Sequence, residues 1–196
     1  MSRAKAKAVP TDELREPTSS EAAAILSAVQ SRGRRPTRVT IGLKSGADKV
    51  MAISNPHTDS KGWGAHLTDT LGTSSYAFCD QALLRLLNVI ADANAVPTET
   101  QANAALAMMG AVAPANELEA AMGEQIIAAH LASLDFLRRA RLNAGEYRDS
   151  AVAYGNLATK LSRTMAVQTE ALAKLRNGGK QTVEVVYVDA RGGRNN

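Results

Sequence analysis

Four arginines within seven residues, Arg32, Arg34, Arg35 and Arg38, are the side chains of this sequence best suited to a chemical task. Each guanidinium can neutralise one phosphate and release its condensed counterions, so the cluster suits a nucleic-acid backbone. They lie in Ser31-Arg-Gly-Arg-Arg-Pro-Thr-Arg38, a polar segment broken by Gly and Pro that reads as a loop. Arg3, Lys5 and Lys7 add positive charge upstream. Two other readings compete: a solvated loop that only keeps the chain in solution, and a loop that docks on the acidic middle of a neighbouring copy. Arg138, Arg139 and Arg141 need no ligand, because they end a long helical pattern and complement its negative end.

No other constellation points to catalysis. His57, His66, His130 and Cys79 have no metal-ligand spacing, and His130 stands six residues from Glu124, which places the two on different helix faces. Gly42-Leu-Lys-Ser-Gly-Ala-Asp-Lys49 has the residue types of a phosphate-cradling loop in the wrong order, with a strand after it where a helix is required, so it reads as a hairpin turn. No Ser, Cys or carboxylate is offered a base at suggestive spacing. The expectation is a protein that is not an enzyme, with no catalytic residue, metal or cofactor.

The elements that carry these residues follow from local signals. Residues 1–17 lack apolar periodicity and read as a disordered basic arm. Thr18-Ser-Ser-Glu21 is a capping box that opens a short helix through Gln30. Val39–Leu43 and Lys49–Ile53 alternate as two strands of a hairpin, which completes a region spanning residues 18–61. Residues 62–178 read as a helical core. An amphipathic piece runs from Trp63 to Leu71, a helix capped at Thr73-Ser-Ser75 runs to about Asn94, and one opened by Pro97-Thr-Glu99 ends at Gly110. The longest pattern starts at Pro114 and Asn116, with Glu117, Glu119 and Glu124 near its positive end and apolar residues wide enough for burial on two sides. Asn143-Ala-Gly145 then turns the chain into a last helix to Asn177, antiparallel to it, with a seam of Tyr154, Leu157, Leu161, Leu172 and Leu175 that Thr164 and Gln168 interrupt. Residues 179–196 hold a strand, Thr182–Val188, and a polar tail. The strand needs a partner, either the hairpin of its own chain or another copy. The fold class is therefore mainly α, a helical core with a long antiparallel helix pair plus a small β element.

Charge is divided along the chain. Residues 1–50, 51–137 and 138–196 carry net +5, −7 and +6, a statement about partners and self-association. One cysteine permits no internal disulfide, no run approaches the roughly 20 apolar residues of a membrane span, and Thr-Asp-Glu follows Pro10 where a signal peptide would be apolar. These features point to a cytoplasmic, homo-oligomeric protein with no membrane partner.

From Gly62 to Gly193 the order of pieces resembles an uncharacterised family encoded in alphaproteobacteria, some members near phage-like genes. The matching stretches are Gly62-Trp63, Asn116-Glu-Leu-Glu-Ala120, Leu157-Ala-Thr-Lys-Leu161 and Glu170-Ala-Leu-Ala-Lys-Leu-Arg-Asn-Gly-Gly-Lys-Gln-Thr-Val183. The family continues with a His-rich strand and a Gly-Gly-Gln tail, where this chain has Val186-Tyr187-Val188 and Gly192-Gly193-Arg194. The resemblance implies kinship and a mobile-element context, not an activity. With the basic cluster it leads to an oligomeric DNA-binding protein similar in outline to a phage terminase small subunit, an analogy at the level of fold. The alternative is a protein-interaction or scaffold oligomer without nucleic acid. No helix-turn-helix with a basic recognition helix is visible, which argues against base-specific reading.

Overall fold

The computed structural model describes residues 15–45, 51–91 and 96–178. The expected basic arm up to residue 14, and the strand and tail beyond Gly178, lie outside the described residues. Among the described residues there are six helices and one two-stranded antiparallel sheet, in two compact units that divide between Thr37 and Arg38.

The first unit is built on α1 (Ser19–Gly33). Its capping box is formed: the Glu21 amide donates to the Thr18 hydroxyl at 3.4 Å and the Thr18 amide donates to the Glu21 carboxylate at 2.7 Å. The Arg15 guanidinium closes on the same carboxylate at 2.5 and 2.7 Å. The helix runs three residues past the expected Gln30 because nothing before Gly33 and Pro36 opposes helical backbone. It buries none of its residues.

The second unit holds β1 (Gly42–Ser45), β2 (Met51–Ser54), α2 (Ser60–Thr70), α3 (Tyr76–Ile90), α4 (Glu99–Val112), α5 (Glu117–Asn143) and α6 (Arg148–Arg176). Every helix from α2 to α5 starts on a side chain that accepts from its first turn: Asp59, Ser75, Thr98 and Asn116. The Asp59 cap starts α2 earlier than the apolar residues alone indicate. Ala91 is extended at φ −66°, ψ 136° and ends α3, and residues 92–94 of the expected helix lie outside the described residues. The fourth helix passes Gly110 and ends on Ala113, a left-handed residue at φ 49°.

The hairpin is displaced along the chain. Gly42 pairs with Ser54 and Leu43 with Ile53, while Val39 and Ile41, expected inside the first strand, precede it and are buried. The cause is Asn103 on α4, whose amide accepts from the Ile41 N–H at 2.8 Å and donates to the Ile41 carbonyl at 3.0 Å. A side chain thus takes the place of a neighbouring strand. The Trp63 indole N–H donates to the Thr40 carbonyl at 2.8 Å and fixes the same stretch from α2.

The core lies between α2, α3, α4 and one face of α5, with Leu71, Leu86, Leu87, Leu106, Met109 and Ile127 fully buried and Val39 and Ile41 closing it. Small residues set its close approaches. A Cβ at Gly123 would press on Met109 and Val112, so α4 and α5 come together there. Gly72, at φ +60°, is the one residue type that fits its turn, because a Cβ would meet the Pro114 carbonyl.

Helices α5 and α6 pack closely and antiparallel: Phe136 stacks on Tyr154 with ring centroids 5.9 Å apart, Gln168 donates to Gln125 at 3.0 Å, and Arg176 reaches Glu119 at 2.8 Å. The less exposed face of α6 is Tyr154, Ala158, Leu161, Met165, Gln168 and Leu172, alternating steps of four and three. The expected seam is thereby corrected. Leu157 and Leu175 stay largely exposed, and Gln168 belongs to the packed face. On α5 the second buried side is narrower than expected, since Leu118, Leu134 and Leu137 are exposed.

Candidate nucleic-acid interface

At the end of α1 the backbone tightens: the Arg34 and Arg35 amides donate to the Ser31 and Arg32 carbonyls at 3.3 and 3.1 Å. This leaves Arg32, Arg34 and Arg35 on one last turn, all exposed, and among the described residues none of their side chains has a hydrogen bond or ion pair. Between Glu21 and Asp48 the chain has no acidic residue. Arg32 continues the line of Ile25 and Val29, so an apolar stripe of Ile25, Leu26 and Val29 runs into positive charge on one face of α1. Part of that charge complements the helix C-terminus.

Arg38, the fourth member of the cluster, belongs to the second unit and is committed there. It is half-buried, and its guanidinium donates to the Gly110 carbonyl near the end of α4. Gly110 leaves the space: a Cβ would collide with that guanidinium. The structure therefore brings Arg32, Arg34 and Arg35 together on an exposed helix end and gives Arg38 a packing role.

A second arginine holds the same helix end, and no sequence motif announces it. Arg176, at the end of α6, donates to the Val112 and Ala113 carbonyls at 2.8 and 3.0 Å and to the Glu119 carboxylate at 2.8 Å. Glu119 is buried, also accepts from the Ala115 amide at 3.1 Å, and is held below the ordinary carboxylate range by that amide and by Arg176. Gly178, at φ +61°, then turns the chain off α6. Several other charges of the middle segment have local partners. Arg85 pairs with Glu124 at 2.7 Å, Thr73 donates to Glu117 at 2.6 Å, and Asp135 holds Arg138 and Arg139 at 2.9 and 2.6 Å. Glu117 and Glu124, read from sequence as complements of a helix end, thus also tie that helix to its neighbours.

Among the described residues no three His, Cys, Asp or Glu side chains gather around a point where an ion could sit. His57, His66 and His130 stand on a loop, on α2 and on α5. Cys79 is buried on α3, and burial and the nearby Asp80 push its thiol pKa up, away from nucleophilic use. No described helix is long and apolar enough to cross a membrane. No family model, curated protein or solved structure matches the chain.

Proposed function

We propose that this chain is a non-enzymatic, self-assembling protein that holds DNA by its phosphate backbone through the basic end of α1, in the manner of a phage terminase small subunit. The observation that carries the reading is the exposed set Arg32, Arg34 and Arg35 on one helix end, without a side-chain partner among the described residues and in a stretch without a single carboxylate. Such a site positions a duplex without reading its bases. Arg38, engaged at Gly110, leaves the set.

Anisotropy of a labelled duplex, titrated at salt from 50 to 200 mM, tests it. Binding weakens steeply with salt, and the combined substitution Arg32→Ala, Arg34→Ala and Arg35→Ala lowers the slope of log K against log salt by about 3, roughly 0.9 for each phosphate no longer neutralised. No binding at low salt, or an unchanged slope, removes the proposal.

A second reading, a scaffold without nucleic acid, draws on a separate observation. Ile25, Leu26 and Val29 are 53–63% exposed on a helix that buries nothing, and an isolated helix of this length is marginal in water without a partner. The same arginine substitutions distinguish the two. Under the DNA reading the mass in solution is unchanged, whereas under the scaffold reading they dissociate the assembly.

A further inference from the structure

Helix α6 holds apolar residues that its packing on α5 leaves uncovered. Leu157 and Leu175 are 42% and 45% exposed, and Val167 is 65% exposed. With Leu161, Thr164, Gln168 and Ala171, the two leucines form a row at steps of four, three, four, three and four, the repeat of a seam between helices. The face packed on α5 repeats in the same way one residue further on, at 158, 165 and 172, and both rows share Leu161 and Gln168. At 3.6 residues per turn the two rows lie about 60° apart around the helix. A helix laid along the second row therefore touches α5 as well as α6. On α5 it meets Ala121, Ala128 and Ala132, small and half-buried, in line with Gln125, which accepts from Gln168 at 3.0 Å.

A second copy of α6 fits as that helix. Laid parallel and in register, each residue of the row meets its own counterpart, with leucine on leucine at 157, 161 and 175 and a single amide at 168. A lone polar residue in such a seam fixes the alignment of identical helices at a cost in stability. Charge agrees with this direction. The contacts of Gln125 with Gln168 and of Phe136 with Tyr154 set the level of α5 against α6, and they put Lys160 of one copy level with Ala132 of the other, within one turn of Asp135. Lys160 is exposed on the flank that faces the second α5. An antiparallel pair would instead set Lys160 beside Lys174 of the other copy.

The area is also of the right size. The row is about 27 Å long and each copy offers two helix surfaces about 10 Å wide, a footprint on the order of 500 Å² before the relief of the side chains is counted. A standard interface removes about 800 Å² of accessible surface from each partner.

We propose that α6 pairs with α6 of a second copy, parallel and in register along the row from Leu157 to Leu175, each α6 resting in the groove between α5 and α6 of the other. The pairing rests on the self-assembly of the proposed function and is independent of its DNA.

The test is a disulfide between copies of the full chain, formed without nucleic acid and with the arginines of α1 in place. With Cys79→Ala removing the native thiol, Leu157→Cys is expected to give a dimer band on mild oxidation and a peptide linked to itself through residue 157. Asn156→Cys, equally open to solvent but turned away from the row, remains largely reduced. No linkage at 157, or equal linkage at 156 and 157, overturns the proposal. An independent measurement is the mass in solution by light scattering. Leu157→Glu with Leu175→Glu in the otherwise native chain is expected to halve it, with helical circular dichroism and the denaturation midpoint retained, because both side chains are exposed in the single chain. A mass that these changes leave unaltered, or an unsubstituted chain that is already a monomer, also overturns it. Neither result alters the salt slope that tests DNA binding, and a failure of DNA binding leaves the link at 157 in place.

Discussion

Arg38→Ala and the triple substitution at the end of α1 remove the same kind of side chain with opposite expected effects. Loss of Arg38 strips the Gly110 carbonyl of a charged donor and leaves a gap where glycine made room. A hydrogen bond to a charged group contributes about 2 kcal/mol, so the thermal midpoint should fall by about 5 °C in calorimetry, while the salt slope of the proposed DNA binding stays that of the unsubstituted chain. A changed slope with an unchanged midpoint would place Arg38 in the interface after all. Spacing alone made the four arginines one cluster. It could not separate them, because the carbonyl that engages Arg38 lies 72 positions away. The same holds for Glu119: its place near a helix start was visible, its burial against Arg176 was not.

Among the elements, caps were the most legible, since Thr18, Ser75, Thr98 and Asn116 act on amides within their own first turn. The long helix pair was also legible from its short turn. Which face of α6 packs was not, because leucines drew attention from Ala158 and Met165, and the packed face includes a glutamine. Gln168 donates to Gln125, yet its own buried carbonyl oxygen has no hydrogen-bond partner. An unsatisfied buried acceptor costs more than one shared hydrogen bond returns. Gln168→Leu should therefore stabilise the second unit by about 1 kcal/mol, read as a higher denaturation midpoint at constant m. Destabilisation would mean that the amide contributes more to the helix pair than its single bond. The hairpin slipped from its expected position for a related reason: alternation marks a strand, but a side chain such as Asn103 can pair with extended backbone equally well.

For the molecule as a whole, the charge distribution that suggests a polyanion partner also sets its response to acid. Glu21 is held at about 2 by the Arg15 guanidinium and the Thr18 amide and hydroxyl, and Glu117 is lowered by the Thr73 hydroxyl. Glu119 is lowered by the Ala115 amide and Arg176. Burial raises Asp135, but Arg139 and Arg138 outweigh it, and the net direction is down. All four carboxyls are more acidic folded than unfolded, so the unfolded chain takes up protons first as pH falls. Their contribution is present at neutral pH, starts to fade near the ordinary values of about 4.5 for the glutamates and 3.8 for Asp135, and is lost as each folded-state group protonates. Denaturant melts at pH 7, 4.5 and 3 should show a falling midpoint at constant m. A midpoint that holds to pH 3 would mean that these pairs persist in the unfolded chain or contribute nothing.

The last turn of α4 is gripped from both directions of the chain, by Arg38 ahead of it and by Arg176 behind it. The hairpin of α5 and α6 closes through local contacts, but this grip closes loops of 72 and 64 positions, and loop closure of that kind comes late in folding. The arginine contacts are then absent from the rate-limiting transition state. Arg176→Ala should quicken unfolding and leave the refolding rate nearly unchanged, a φ-value close to zero in stopped-flow experiments. What this helix end governs is the lifetime of the native state, more than the speed with which it forms.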